Sequence, residues 1–233
     1  MPATPYTDTI DWDRFWADAD KDRRSDTNPS GDLVLDPLLE FIEATGVPDS
    51  YADVGCGPGA AVAAVADRYP DTTVVGYDAA APVLAENRDR FDHLENLAFE
   101  RTVLPAFDPD QTFDLVTSLF TLCYVADVET ALRNLYDAVA PGGTLIVHYH
   151  NRLAHAHYRD IATDPHAVLD EDAPWDPDTF AERFRLVIEG ENLLSYERIH
   201  DVLGTWPRSV FSVATGTDQY GAHRYEPLVY IPK

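Results

Sequence analysis

The residues best placed to do chemistry lie at 51–59, read YADVGCGPG, where a short apolar run ends in three alternating glycines, Gly55, Gly57 and Gly59. Glycines let the main chain turn sharply and let a bound molecule approach it closely. The alanine-rich stretch that follows predicts a helix whose first N–H groups are free to meet a ligand. Asp53 puts an acid at the end of a strand expected to be buried. Asp78 stands just past a second apolar stretch, TTVVGY at 72–77, where a carboxylate can accept hydrogen bonds from both hydroxyls of a sugar. His148 and His150, two apart on a third apolar stretch, share a face of a strand. His150 and its neighbour Asn151 could orient a second molecule or take a proton from it, and a histidine satisfied by hydrogen bonds within the core is the alternative.

These groups need a scaffold, and the hydrophobic periodicity supplies one. Strands are predicted at 72–77, 97–100, 113–118 and 144–149, beside the one that ends in the glycine turn. Helices alternate with them: 33–45 with Leu35, Leu38, Leu39 and Ile42 inward, 59–69 with Val62, Val65 and Tyr69 on one stripe, and one opening near Pro82. A further helix carries Val128, Leu132, Leu135 and Val139 under an Asp127 cap. A helix from Asp176-Pro177 turns Phe180, Phe184 and Val187/Ile188 inward, and Ser195 caps another that Gly204 ends. Residues 209–214 and 225–231 read as a closing antiparallel pair across a glycine-rich connection, 26–31 as a loop, and 152–175 as an acidic insertion without periodicity. Strand-helix alternation implies an α/β parallel sheet, with ligands at the carboxyl ends of the strands.

Gly55, Gly57 and Ala60, with Asp78 about 20 residues on, satisfy a dinucleotide spacing. The fuller form DVGCGPG resembles the first motif of the class I S-adenosylmethionine (SAM) dependent methyltransferases. Asp78 resembles the second, and the sequence helix, Pro141-Gly142-Gly143, apolar strand extends the likeness over about residues 50–150. The resemblance implies a Rossmann-like, seven-stranded, mostly parallel sheet with an antiparallel last strand and helices on both faces. It implies SAM as cofactor, held by Asp53, Gly55, Cys56, Gly57, Gly59, Asp78 and Ala79, with Glu100 and Arg101 toward the adenine, Thr102 as a neighbour, and Ser118 and Leu119 along the methionine side. Arg101 departs from the small residue the family carries there. The likeness divides the chain, one domain over 1–233, into a helical cap (1–46), a SAM-binding core (47–150), an insertion or lid (151–190) and a C-terminal helix and strand pair (191–233). The aromatic stretch around Trp12, Phe15 and Trp16 reads as a strap on the core or a lid over the pocket.

Composition narrows the setting. The chain has 233 residues, 41 acids against 17 bases, and a net charge of −24, with Lys21 and Lys233 the only lysines. Such self-repulsion is screened in salt near 1 M, where the Debye length is roughly 3 Å, and the balance resembles that of proteins from salt-loving archaea. No basic stripe favours a phosphate backbone, no run of about 18 apolar residues predicts a membrane span, and the N-terminus lacks a secretory pattern, so a cytoplasmic protein is expected. Cys56 and Cys123 read as small apolar fillers, and no metal-ligand spacing is found. The expected function is methyl transfer to an unidentified, small-molecule acceptor. An NAD(P)-dependent oxidoreductase and a non-catalytic SAM-binding regulator are the alternatives. Nucleic acid or protein acceptors and the oligomeric state stay open.

Overall fold

The computed structural model describes residues 9–18, 30–169, 173, 175–214 and 223–233. Seven strands form one sheet in the order β3-β2-β1-β4-β5-β7-β6. They are β1 (Ser50–Val54), β2 (Thr73–Asp78), β3 (Leu97–Arg101), β4 (Phe113–Ser118), β5 (Val139–His148), β6 (Arg208–Ser209) and β7 (Leu228–Pro232). β1 pairs in parallel with both β2 and β4, and β4 with β5; β7 runs antiparallel to β5 and to β6. The chain therefore leaves β1 on one side for β2 and returns on the other as β4. The crevice that opens at such a reversal lies outside the strand carboxyl ends.

Strand alternation gives each face its own core. Tyr51, Val74, Leu115 and Ile146 pack with α2 (Ser30–Thr45), α3 (Ala60–Arg68) and α4 (Ala81–Arg90). Ala52, Val75, Val116, Leu145 and Val147 pack on the opposite side with α5 (Val128–Asp137) and α10 (Tyr196–Leu203). Asp127 caps α5 by accepting from the Thr130 amide, Ser195 caps α10 through the Arg198 amide, and Gly204 closes α10 in the left-handed region.

Beyond the strand tips, a third cluster joins Cys123, Ala154, Tyr158, Ile161, Phe180, Phe184 and Val187. It draws on α6 (Arg152–Thr163), α8 (Phe180–Arg183), α9 (Arg185–Glu189) and the 3-10 turn Leu122–Tyr124, with α7 (Pro165–Val168) following α6. Helix α1 (Trp12–Asp18) lies against α4, where the Asp13 carboxylate accepts from the Ala81 amide at 2.9 Å.

Several elements differ from their sequence expectation. The stretch 152–175 is not aperiodic: Ala154, Tyr158 and Ile161 make a buried stripe, and α6 forms because the Asn151 side chain accepts from the Leu153 and Ala154 amides. Ser30 and Gly31 open α2 rather than close a loop, and its buried stripe is Val34, Leu38, Phe41 and Ile42. Of the expected 209–214 strand only Ser209 pairs, together with Arg208 before it, because Val210–Ser212 coil into a 3-10 turn that buries Val210. The last strand starts at Leu228. Most of the glycine-rich connection, 215–222, and of the 26–31 loop lies outside the described residues, as do residues 1–8 of the N-terminal stretch.

Candidate active site

A cavity of about 510 Å³ opens at the carboxyl ends of the parallel strands. Its floor is the glycine turn, residues 53–58, with Asp78 and Ala79 after β2, residues 102–105 after β3, and residues 119–121 and 123–127 after β4. His150, Tyr158, Arg183, Phe184 and Glu226 form the far end, and Trp12 and Trp16 of α1 complete the wall.

Residue type dictates the shape of the floor. Gly55 has φ +85°, and a Cβ there would fall 2.1 Å from Thr121 Oγ1, so both conformation and space demand glycine. Gly57 has φ +49°, and an added Cβ would meet only the Trp16 ring, at 3.6 Å; the bare backbone is a cradle open to the cavity. The turn is held from behind. The Gly55 and Cys56 amides donate to Tyr77 O at 2.7 and 2.9 Å, and buried Asn87 donates to Gly57 O at 2.7 Å. Asp78 braces it from the side, with Oδ2 accepting from the Gly57 amide and Oδ1 from the Ala80 amide, both at 2.9 Å. Burial raises the Asp78 pKa, against those amide donors. Each oxygen keeps lone pairs for a further donor.

Asp53 lines the floor while 3% exposed. Burial pushes its carboxyl up to about 7, opposed by the Thr117 hydroxyl, which donates to Oδ1 at 2.6 Å, and assisted by the charge of Asp78.

The far end carries an ionic group. His150 Nε2 lies 2.9 Å from Glu226 Oε1, the Tyr158 hydroxyl donates to the same oxygen at 2.7 Å, and His148 Nε2 is 3.7 Å from Glu226 Oε2. Burial opposes charge on His150, but the adjacent Cys123 and Glu226 outweigh it and push the imidazole up to about 10. Burial likewise opposes charge on Glu226, and His150, His148 and Tyr158 outweigh it and hold the carboxyl down to about 2. His148, buried with less help, falls to about 3 and is neutral. The result is a buried His150–Glu226 ion pair.

Among the sequence-predicted residues, Asp53, Gly55, Cys56, Gly57, Asp78, Ala79, Leu119 and His150 meet at the cavity. Five others stand apart from its wall. Gly59 caps α3, where an added Cβ would crowd Phe91. Ser118 is still inside β4 and ties it to β1, donating to Val54 O at 2.9 Å. Glu100 and Arg101 remain in register with Tyr77 and Asp78, so the chain turns toward the cavity only at Thr102; Glu100 is exposed beside the Tyr77 hydroxyl and Arg101 binds Ala79 O. Asn151 spends its oxygen capping α6 and its amide on Arg224 O, which corrects its reading as a group facing an acceptor.

Sequence reasoning missed Arg183, Glu226, Tyr158, Asn87 and Thr117. For Arg183 a signal existed: it stands three residues from Phe180, on the same inward helix face. Glu226, an acid between Tyr225 and Pro227, carried none. Among the described residues no group of His, Cys, Asp or Glu could hold a metal ion, and no helix is long and apolar enough to cross a membrane.

A strand order of 3-2-1-4-5-7-6, a glycine turn after β1 and an acid after β2 define a Rossmann-like α/β domain, a class that binds its ligands outside the carboxyl ends of the strands. Residues 52–145 match the family model described as a methyltransferase domain, and the fold is Rossmann-like, as in solved methyltransferases. The chain is 32% identical to trans-aconitate 2-methyltransferase of Variovorax paradoxus over 156 residues, 65% of this chain and 57% of that protein. It is 33% identical to the enzyme of the same name from Methylobacterium radiotolerans over 133 residues, 57% of this chain and 48% of that one. The chain thus spans about half the length of the curated relatives it matches. In fold it is similar to the plantazolicin methyltransferase BamL, solved with a triazolic desmethylPZN analog and S-adenosylhomocysteine (SAH), with a TM-score of 0.64, 12% identity, and coverage of 95% of this chain and 94% of that one.

Proposed function

We propose that the protein transfers a methyl group from SAM to a small-molecule acceptor. One observation carries the reading: the bare glycine floor and the Asp78 carboxylate are adjoining walls of a cavity that continues, without leaving the protein, to a separate polar end at His150 and Arg183. A nucleoside half and an acceptor half are thereby set end to end. When bound, SAM supplies an electrophilic methyl group on a positively charged sulfur.

This chain's own residues do the rest. Asp78 accepts from the ribose hydroxyls while its other lone pairs keep the Gly57 and Ala80 amides in place. The backbone of residues 55–58 and Leu119 lie along the methionine portion, and Thr102 with residues 103–105 along the base. Asp53, lining the floor and held by the Thr117 hydroxyl, meets the amino end of the cofactor. Trp12 and Trp16 shut water out. Alignment of this kind contributes up to about 7–11 kcal/mol to a bimolecular transfer. The Glu226 carboxylate 2.9 Å away favours the protonated imidazole of His150, which suits it to orient the acceptor as a donor. The names of the relatives, trans-aconitate 2-methyltransferase, support a small acceptor.

The test is thermal unfolding in molar KCl with SAM, SAH, NAD or NADP, followed by transfer of labelled methyl to a metabolite pool. A ligand at 100 times its dissociation constant adds about 2.7 kcal/mol, a readable shift. SAM and SAH are expected to give it. A shift with NAD alone refutes the proposal, and SAM binding without transfer to any acceptor makes the protein a SAM-binding regulator.

A further inference from the structure

Five of the described arginines of this acidic chain pair with carboxylates. Arg68 pairs with Glu43, Arg133 and Arg198 with Glu129, Arg185 with Glu189, and Arg101 with Asp13. Arg183 is the opposite case. It is 9% exposed, lines the cavity, and among the described residues has no carboxylate partner. Its Nε donates to the Tyr124 hydroxyl at 3.1 Å. Four rings surround its Cζ, with centroids at 5.6 Å for Trp12, 5.4 Å for Phe15, 5.7 Å for Tyr124 and 5.3 Å for Phe184. Ring faces hold a guanidinium without neutralising it. Its two terminal nitrogens make no hydrogen bond to any described residue, and a buried cation left that way is costly unless an anion arrives.

The rest of the cavity limits what that anion can be. Arg183 is the only Lys or Arg among its described lining residues; Asp53, Asp78 and Asp127 are acids, and Glu226 is already matched by His150. One unmatched positive charge therefore faces the acceptor, inside a collar of aromatic rings. A planar fork of N–H donors matches a carboxylate with two parallel bonds. Resting on the methyltransferase reading above, we propose that Arg183 selects the acceptor as an apolar monocarboxylate, gripping its carboxylate while the cavity-lining rings of Trp12, Tyr124 and Phe184 enclose its body. A second or third carboxylate finds no further unmatched cation among the described lining residues, so a polycarboxylate such as trans-aconitate is disfavoured.

The experiment is calorimetric titration of the whole chain, with and without saturating SAH, using trans-cinnamate, octanoate, their amides and trans-aconitate as probes. SAH binding is measured first and separately; its failure sinks the methyltransferase reading whatever the acids do. Both acids are expected to bind about tenfold or more tightly than their amides, the scale of a hydrogen bond to a charged group, and more tightly than trans-aconitate. Arg183→Gln is expected to erase the acid preference, and Arg183→Lys to keep part of it, with SAH affinity changed less than about twofold in each. The acid-against-amide comparison needs no variant, so it stands if a variant fails to fold. Equal binding of acid and amide, no binding of either acid, tighter binding of trans-aconitate, or a matching loss of SAH affinity in Arg183→Gln overturns the proposal; the last would assign Arg183 to the carboxylate of the cofactor.

Discussion

Replacing Asp78 by Asn changes one oxygen to an NH2 group and leaves the volume alone. In the wild type Oδ2 accepts from the Gly57 amide and Oδ1 from the Ala80 amide, both at 2.9 Å. Asparagine has one carbonyl oxygen, so whichever way its amide is turned, NH2 faces a backbone N–H. One charge-assisted bond is lost and a donor opposes a donor, which costs about 1.5–3 kcal/mol of stability. The same exchange removes the charge and one acceptor proposed for the ribose, a second loss of about 1.5–3 kcal/mol, or roughly 10- to 100-fold in SAH affinity. Calorimetric titration with SAH at fixed salt, beside denaturant unfolding of the same samples, reads both. The wild type should show the same loss of affinity on acidification, at higher pH than an ordinary aspartate would give, because burial raises the Asp78 pKa. A folded Asp78→Asn variant that binds SAH within about twofold of wild type refutes the geometry argued here, since a ribose acceptor cannot lose its charge at that cost.

Three further outcomes follow from the structure. Glu226→Gln strands His150 in the core and should destabilise the protein by about 3–5 kcal/mol. Glu226 stabilises above its ordinary 4.5 and loses this as pH falls through about 2, while His150 stabilises below its ordinary 6.5 and loses this as pH rises through about 10, so the gap between wild type and variant in urea unfolding should be widest near pH 4.5–6.5; a gap independent of pH contradicts the ion pair. Asn151→Ala removes the α6 cap and should cost about 1 kcal/mol with methyl-transfer rate per folded molecule unchanged; a rate collapse without loss of stability would return Asn151 to the catalytic machinery. With a net charge of −24, the melting temperature should rise from dilute buffer to molar KCl as the Debye length falls from about 30 Å at 0.01 M to about 3 Å, and equal melting in both removes the reading of a high-salt protein.

What the amino-acid order determined by itself is local. The alternating glycines at 55, 57 and 59 announce left-handed backbone, because other residues are strained there. Asp78 ends a β-branched run, and the helix caps Asp127 and Ser195 stand where free N–H groups need an acceptor. Each of these is a demand that a few consecutive residues make on the backbone, so it is legible in a few consecutive residues. The extent of the cavity is also partly legible, but its edge at Thr102 rather than Glu100 depends on how far β3 stays in register with β2, which neighbours decide. Of the polar end, the sequence marked His150 and offered a helix-face signal for Arg183, but not the partners they meet. Glu226 reaches His150 because β7 lies antiparallel on β5 and brings residues 76 positions apart side by side, and Arg183 reaches Tyr124 across 59 positions of sequence. Long-range encounters of this kind leave no periodicity in the chain; only the packed sheet, with α8 closed over its tips, chooses which buried charge meets which partner and which is left to await one.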